Sequence, residues 1–132
     1  MAINAYKTYQ NNAVNTATGS ELTLMLYNGC IKFIKQSKKE LEAGNFEDKN
    51  KCIQKAQNII QELMLTLDQK VEISKQMIPL YEYMHYRLTQ ANLKNDCEML
   101  DEVLGFAIEF RDTWKQVIQK NRQKEFAQGA QI

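Results

Sequence analysis

The chain has one histidine, His85, which closes the tetrapeptide Glu82-Tyr83-Met84-His85. Glu-x-x-His sets a carboxylate and an imidazole one helical turn apart, the spacing by which helical bundles offer paired ligands to two metal ions. Such a centre needs a second copy of the motif and two further inward carboxylates. With no second histidine the pattern stays incomplete, and His85 is expected to be an exposed or hydrogen-bonded side chain. The same scarcity weighs against His-Cys and Ser-His nucleophiles. Cys30, Cys52 and Cys97 are widely separated and form no Cys-x-x-Cys pair, so they are expected to be free thiols in a reducing cytosol rather than zinc or redox ligands. The five glycines lie singly, which excludes a Gly-rich phosphate loop. Asp101 with Glu102, and Glu40 with Glu42, have the placement of ordinary helix-surface acids and not of facing acids in a cleft. No catalytic residue, metal site or cofactor is expected.

Cationic side chains are no more specific. Lys115, Lys120, Arg122 and Lys124 crowd the end of the last helical stretch, where positive charge complements the helix dipole. Gln, Asn and Glu interrupt them, whereas a nucleic-acid face wants aromatic interleaving. Lys32, Lys35, Lys38 and Lys39 have the spacing of a solvated helix face. The 17 basic and 16 acidic residues leave a formal charge of +1, so no summed field draws the protein to nucleic acid or an anionic membrane.

The elements that carry these residues are helices. Within 132 residues there are one proline and five glycines, too little punctuation for an all-β fold. Apolar residues at 44% and charged residues at 25% describe a globular chain long enough for one core. No signal peptide and no apolar run of about 18 residues is present, so a soluble, cytoplasmic protein without membrane insertion is expected.

Residues 1–17 are polar apart from Tyr6 and Tyr9 and form a loosely held N-terminal arm. The first helix opens at Thr18, where Thr-Gly-Ser-Glu makes a capping box with Glu21. Leu22, Met25, Leu26, Gly29, Phe33 and Leu41 share one stripe that Leu24, Tyr27, Ile31 and Ile34 widen, and Ala43-Gly44-Asn45 ends the helix in left-handed geometry. A second helix runs from Phe46 to Leu67 on Ile53, Ala56, Ile60, Leu63 and Leu67, with Ile59 and Met64 beside them; Asp68-Gln69-Lys70 stops it. The third carries Met77, Leu80, Tyr81, Met84, Leu88 and Ala91, and either starts near Gln76 with Pro79 in its first turn or is kinked there. Asp96 caps the fourth, whose inward face is Leu100, Val103, Leu104, Ala107, Phe110, Trp114 and Val117. Gly105 costs that helix about 1 kcal/mol relative to alanine, which close approach of a neighbour would offset. The expected fold is all-α: an antiparallel up-down four-helix bundle over 18–125, with a disordered tail at 126–132.

Apolar residues exceed what one bundle seam requires, and such a surplus permits a groove that takes a partner helix. Several blocks then occur in a fixed order: the tyrosine-bearing arm, TATGSELTLMLYNG, KAQNIIQEL with LTLD, LYEYMHYRLTQAN and FRDTW. From about Tyr6 to Ile118 the chain resembles the flagellin-specific export chaperones, the FliS family. Three departures stand out: Gly19 replaces the usual proline, Asn28 the usual aspartate, and Pro79 interrupts a helix that is generally unbroken in the family.

The resemblance implies a cytosolic chaperone that binds the disordered C-terminal segment of flagellin, blocks its premature polymerisation and passes it as a complex to the flagellar export gate. It further implies that Tyr6 and Tyr9 cap the binding groove until the client displaces them. The groove residues expected are Ile53, Ala56, Gln57, Ile60 and Met64 of the second helix and Leu80, Tyr83, Met84 and Arg87 of the third. The competing readings are a ferritin-like enzyme and a helical adapter for another flagellar or regulatory protein; the exposed groove also leaves room for a weak homodimer.

Overall fold

The computed structural model describes residues 19–67 and 72–130. Four helices account for nearly all of them: α1 (Gly19–Glu42), α2 (Phe46–Thr66), α3 (Glu72–Lys94) and α4 (Cys97–Ala130). Each packs against its chain neighbours, and α4 returns to α1, so the four close into a ring with α1 diagonal to α3. This is the expected all-α four-helix bundle.

The turns follow from local chemistry. Gly44 takes φ +80°, and the amides of Gly44 and Asn45 reach back to the carbonyls of Leu41 and Glu40 at 3.1 and 2.8 Å, which satisfies the orphan carbonyls at the end of α1. Asn95 does the same for α3 at φ 52°, with the Asp96 amide bonded to the Ala91 carbonyl at 3.1 Å. The Asp96 carboxylate then accepts from the amides of Glu98 and Met99 at 2.9 and 3.3 Å and starts α4, as expected of a capping residue. Thr18, the expected cap of α1, and Asp68-Gln69-Lys70, the expected stop of α2, lie outside the described residues. α2 gives way to extended backbone at Leu67.

The core is continuous through all four helices. It comprises Leu26, Tyr27, Cys30, Ile31 and Ile34 of α1, Ile53, Ala56, Ile59, Ile60 and Leu63 of α2, Tyr81, Met84, Leu88 and Ala91 of α3, and Leu100, Val103 and Ala107 of α4. Burial of each large aliphatic side chain contributes about 1.5–3 kcal/mol. In α1 the inward stripe is turned from the one expected: Tyr27, Ile31 and Ile34 form its centre with Cys30, while Leu22, Met25 and Gly29 stay half-buried. Cys30 and Ser37 were not anticipated there; Ser37 is tolerated because its hydroxyl donates to the Ile34 carbonyl at 2.7 Å.

Two boundaries and one packing expectation are corrected. α3 begins at Glu72, so Pro79 lies in the helix interior and not in its first turn. Buried Ser74 and the packing of Met77 on the core draw the earlier turns inward despite the donor that proline lacks. α4 continues through 126–130, where a disordered tail was expected, because the run from Arg122 to Glu125 consists of good helix formers and no Gly or Pro interrupts the chain as far as Gln128. At Gly105 an added Cβ would meet nothing within 4 Å, so no close helix approach explains the glycine. Among the described residues no helix is long and apolar enough to cross a membrane.

Candidate functional site

The inner face of α3 is set by Tyr81, Met84, Leu88 and Ala91 at helical spacing, and this fixes what its other faces carry. Leu80, Tyr83, Tyr86 and Leu93 are left 40, 43, 56 and 75% exposed, four large apolar side chains on one helix. Isolated exposed apolar residues are ordinary on a protein surface, but a concentration on one element marks an interaction surface.

Toward α4 this surface has a floor and a polar clamp. The Tyr83 ring meets Phe106 edge-on at 6.1 Å, while its hydroxyl donates to Glu102 Oε1 at 2.5 Å. The other Glu102 oxygen accepts from Arg87 at 3.0 Å, and Arg87 Nε is buried with no partner among the described residues. The Tyr83 hydroxyl and then Arg87 hold the Glu102 carboxyl below its usual range, and Glu102 in turn raises both Tyr83 and Arg87. The pair is half-buried and still reached by solvent, where an ion pair contributes little to stability, so the clamp orients side chains more than it stabilises the fold.

Toward α2 the ties are also polar. The Gln57 amide donates to the His85 carbonyl at 3.3 Å and to the Thr89 hydroxyl at 2.8 Å. Gln61 Nε2 lies 3.4 Å from His85 Nε2, which gives the histidine a hydrogen-bonding neighbour. At the far end Lys49, only 2% exposed, donates to the Asn92 carbonyl at 2.9 Å and to Asn95 Oδ1 at 2.5 Å. Burial lowers the proton affinity of its amine, and the free carbonyls at the end of α3 receive the charge.

Behind the surface, the hydroxyls of Tyr27 and Tyr81 hydrogen-bond across the diagonal of the bundle. The Phe110 ring lies 6.2 Å from the first and 6.0 Å from the second. Burial raises the Tyr27 phenol, lifts that of Tyr81 well above the ordinary range and pushes the adjacent Cys30 thiol up to about 12. A thiol so protonated is inert, and Cys52 and Cys97 are also free and raised by burial.

The expected groove residues therefore fall into two layers. Ile53, Ala56 and Ile60 are fully buried and Met84 nearly so, all as interior packing between helices. Met64 packs on the edge of the same core. Gln57 is a half-buried tie on the α2 side, and Leu80, Tyr83 and Arg87 line the α4 side. Tyr6 and Tyr9 lie outside the described residues. Sequence reasoning missed Glu102 and Phe106. In an antiparallel hairpin turning at Asn95-Asp96, residues roughly equidistant from the turn face each other, so an arginine at 87 signals a carboxylate near 102.

The family model "Flagellar protein FliS" matches residues 2–121. The chain belongs to the FliS family. The flagellar secretion chaperone FliS of Bacillus subtilis (strain 168) is 54% identical over 130 residues, covering 98% of each chain. That of Salmonella typhimurium is 37% identical over 112 residues, covering 83% of each. A crystal structure of a bacterial flagellar chaperone, 16% identical, superposes with a TM-score of 0.73 over 91% of this chain and 99% of its own, which supports the fold. A FliS-family chain of this kind is a flagellar export chaperone and not an enzyme.

Proposed function

We propose that this chaperone binds the disordered C-terminal segment of flagellin in the cytoplasm, prevents its premature polymerisation and supports its delivery to the flagellar export apparatus. The observation that carries this reading is the apolar surface of α3, where Leu80, Tyr83, Tyr86 and Leu93 are exposed beside the half-buried Phe106. A client segment that folds as an amphipathic helix buries its apolar face there, at the expense of the ordering free energy that coupled folding requires. Gln57 and the Arg87–Glu102 clamp border the surface. Ile53, Ala56, Ile60 and Met84 act beneath it as the packed base on which the exposed residues stand. Masking the helical faces by which flagellin assembles is then sufficient to hold it as a monomer.

Tyr6 and Tyr9 serve in this proposal as an intramolecular competitor. An aromatic ring contributes about 2–3 kcal/mol on burial, enough to cover an apolar surface and little enough for a longer client to displace.

Titration calorimetry with a flagellin C-terminal peptide, with circular dichroism of the mixture, is the direct test. Heat of binding together with a gain in helicity is expected. The double variant Tyr83→Ala/Tyr86→Ala should bind at least tenfold more weakly with little change in melting temperature, and Tyr6→Ala/Tyr9→Ala should bind the peptide more tightly and take up more surface dye. No heat and no added helix would sink flagellin as the client and leave an adapter for another flagellar protein.

A further inference from the structure

We propose that the basic outer face of α1 is a second docking site, one that takes an acidic protein segment. Lys32, Lys35 and Lys39 follow each other at i, i+3 and i+7, all exposed. Lys55 of α2 joins them, because the Lys32 and Lys55 ammonium groups lie 5.7 and 5.3 Å from the centroid of one ring, that of Phe33. Cations from two helices thus gather over a single aromatic side chain. Among the described residues none of these four lysines has a carboxylate within ion-pair distance, whereas Lys38 and Lys51 are paired with Asp101 and Glu47. The nearby Glu40 carboxylate is engaged by Gln36 and Asn45 at 2.8 and 3.0 Å. Like charges at helical spacing repel, and an external carboxylate relieves that repulsion.

The dimensions select the partner. Seven residues of helix make a row about 10 Å long. Beyond it, around the α1–α2 turn, stand Glu42, Glu47 and Asp48, all exposed. A nucleic acid or an anionic bilayer would run from the lysines directly onto these carboxylates, and a formal charge of +1 supplies no long-range attraction. A short segment with two or three acidic side chains on one helical face fits the row and ends where the row ends. Since α1 and α3 are diagonal, this face and the apolar surface of α3 can be occupied together.

Fluorescence anisotropy with a labelled glutamate-rich peptide of about 12 residues tests the site, at low salt where surface charge is weakly screened. Saturable binding is expected that weakens steeply with added salt, is unaffected by saturating flagellin peptide, and falls at least tenfold in K32E/K35E/K39E. The neutral K32Q/K35Q/K39Q variant should show a smaller loss, and it keeps the test valid should charge reversal disturb folding. Absence of peptide binding, equal binding by wild type and variants, or stronger binding to a single-stranded oligonucleotide or to phosphatidylserine vesicles would each overturn the assignment. Flagellin-peptide binding is read separately in each variant, so failure of the lysine face and failure of the flagellin reading are distinguishable.

Discussion

Helices α1 and α3 face each other across the bundle and meet their neighbours by different means. α1 packs most extensively on α2, burying Leu26, Tyr27, Cys30, Ile31 and Ile34 on its inner side, and presents lysines outside. α3 also buries an apolar stripe, and its polar ties run to both neighbours, Lys49 and Gln57 from α2 and Glu102 from α4, whereas those of α1, Lys38 to Asp101 and Ser20 to Trp114, run to α4. The outside of α3 shows tyrosines and leucines. Apolar burial is non-directional, so it is suited to holding helices together, whereas hydrogen bonds hold a side chain at a defined angle. α1 and α2 thus form the body of the molecule, and α3 is a mounted surface.

The sharpest separation of the two roles compares a body residue with a surface residue. Ile60→Ala should destabilise the fold by about 2–5 kcal/mol in urea unfolding, because Ile60 is fully buried. Tyr86→Ala, at an exposed position, should change stability by no more than about 0.5 kcal/mol while weakening peptide binding. Equal effects on stability would erase the distinction.

Removal of a polar tie comes next. Lys49→Ala leaves the Asn92 carbonyl and the Asn95 side chain without their donor and should cost about 1–3 kcal/mol. The loss should be concentrated in hydrogen-exchange protection of the last turns of α3, with α1 amides little affected.

The tyrosine pair that joins body to surface should give a signature in alkali. Folded Tyr81 keeps its proton well above the pH at which the unfolded phenol loses it, about 10. Above that pH the folded state therefore binds more protons than the unfolded state, and stability falls as pH rises, by up to about 1.4 kcal/mol per pH unit for this group. Tyr81→Phe should reduce the alkaline slope in the pH dependence of the melting temperature, leaving the smaller part due to Tyr27 and the neutral-pH arm in place.

The smallest effect is expected on α4. Gly105 sits in the helix interior with open space around it, so Gly105→Ala should stabilise by about 0.5–1 kcal/mol in the same urea assay. A destabilising outcome would mean that α4 contributes less as a helix than its length suggests.

Much of the bundle was legible before any coordinates. Gly44 and Asp96 announced the ends of helices through backbone chemistry that acts within a few residues, and the stripes of α2, α3 and α4 gave Ile53, Ala56, Tyr81, Leu88, Leu100 and Val103 as core. Pro79 was harder to read, because a proline's local cost of about 3 kcal/mol is weighed against burial contributed by residues far along the helix. The surface was less legible still. An apolar residue at helical spacing looks the same whether it faces a neighbour or a client, so Ile60 and Leu80 were grouped together although one is buried and the other exposed. What separates them is the rotation of α3 about its own axis, and that is decided by partners such as Glu102 and Phe106, which belong to another helix.

Trp114 gives the molecule a built-in optical reporter. It is the chain's one tryptophan, and its indole N–H donates to the Ser20 carbonyl at 2.9 Å, at the first turn of α1. Its emission is therefore sensitive to whether that turn is docked on α4. Excitation at the red edge of the spectrum, where tyrosine does not absorb, can accordingly follow the seating of α1 with no label attached.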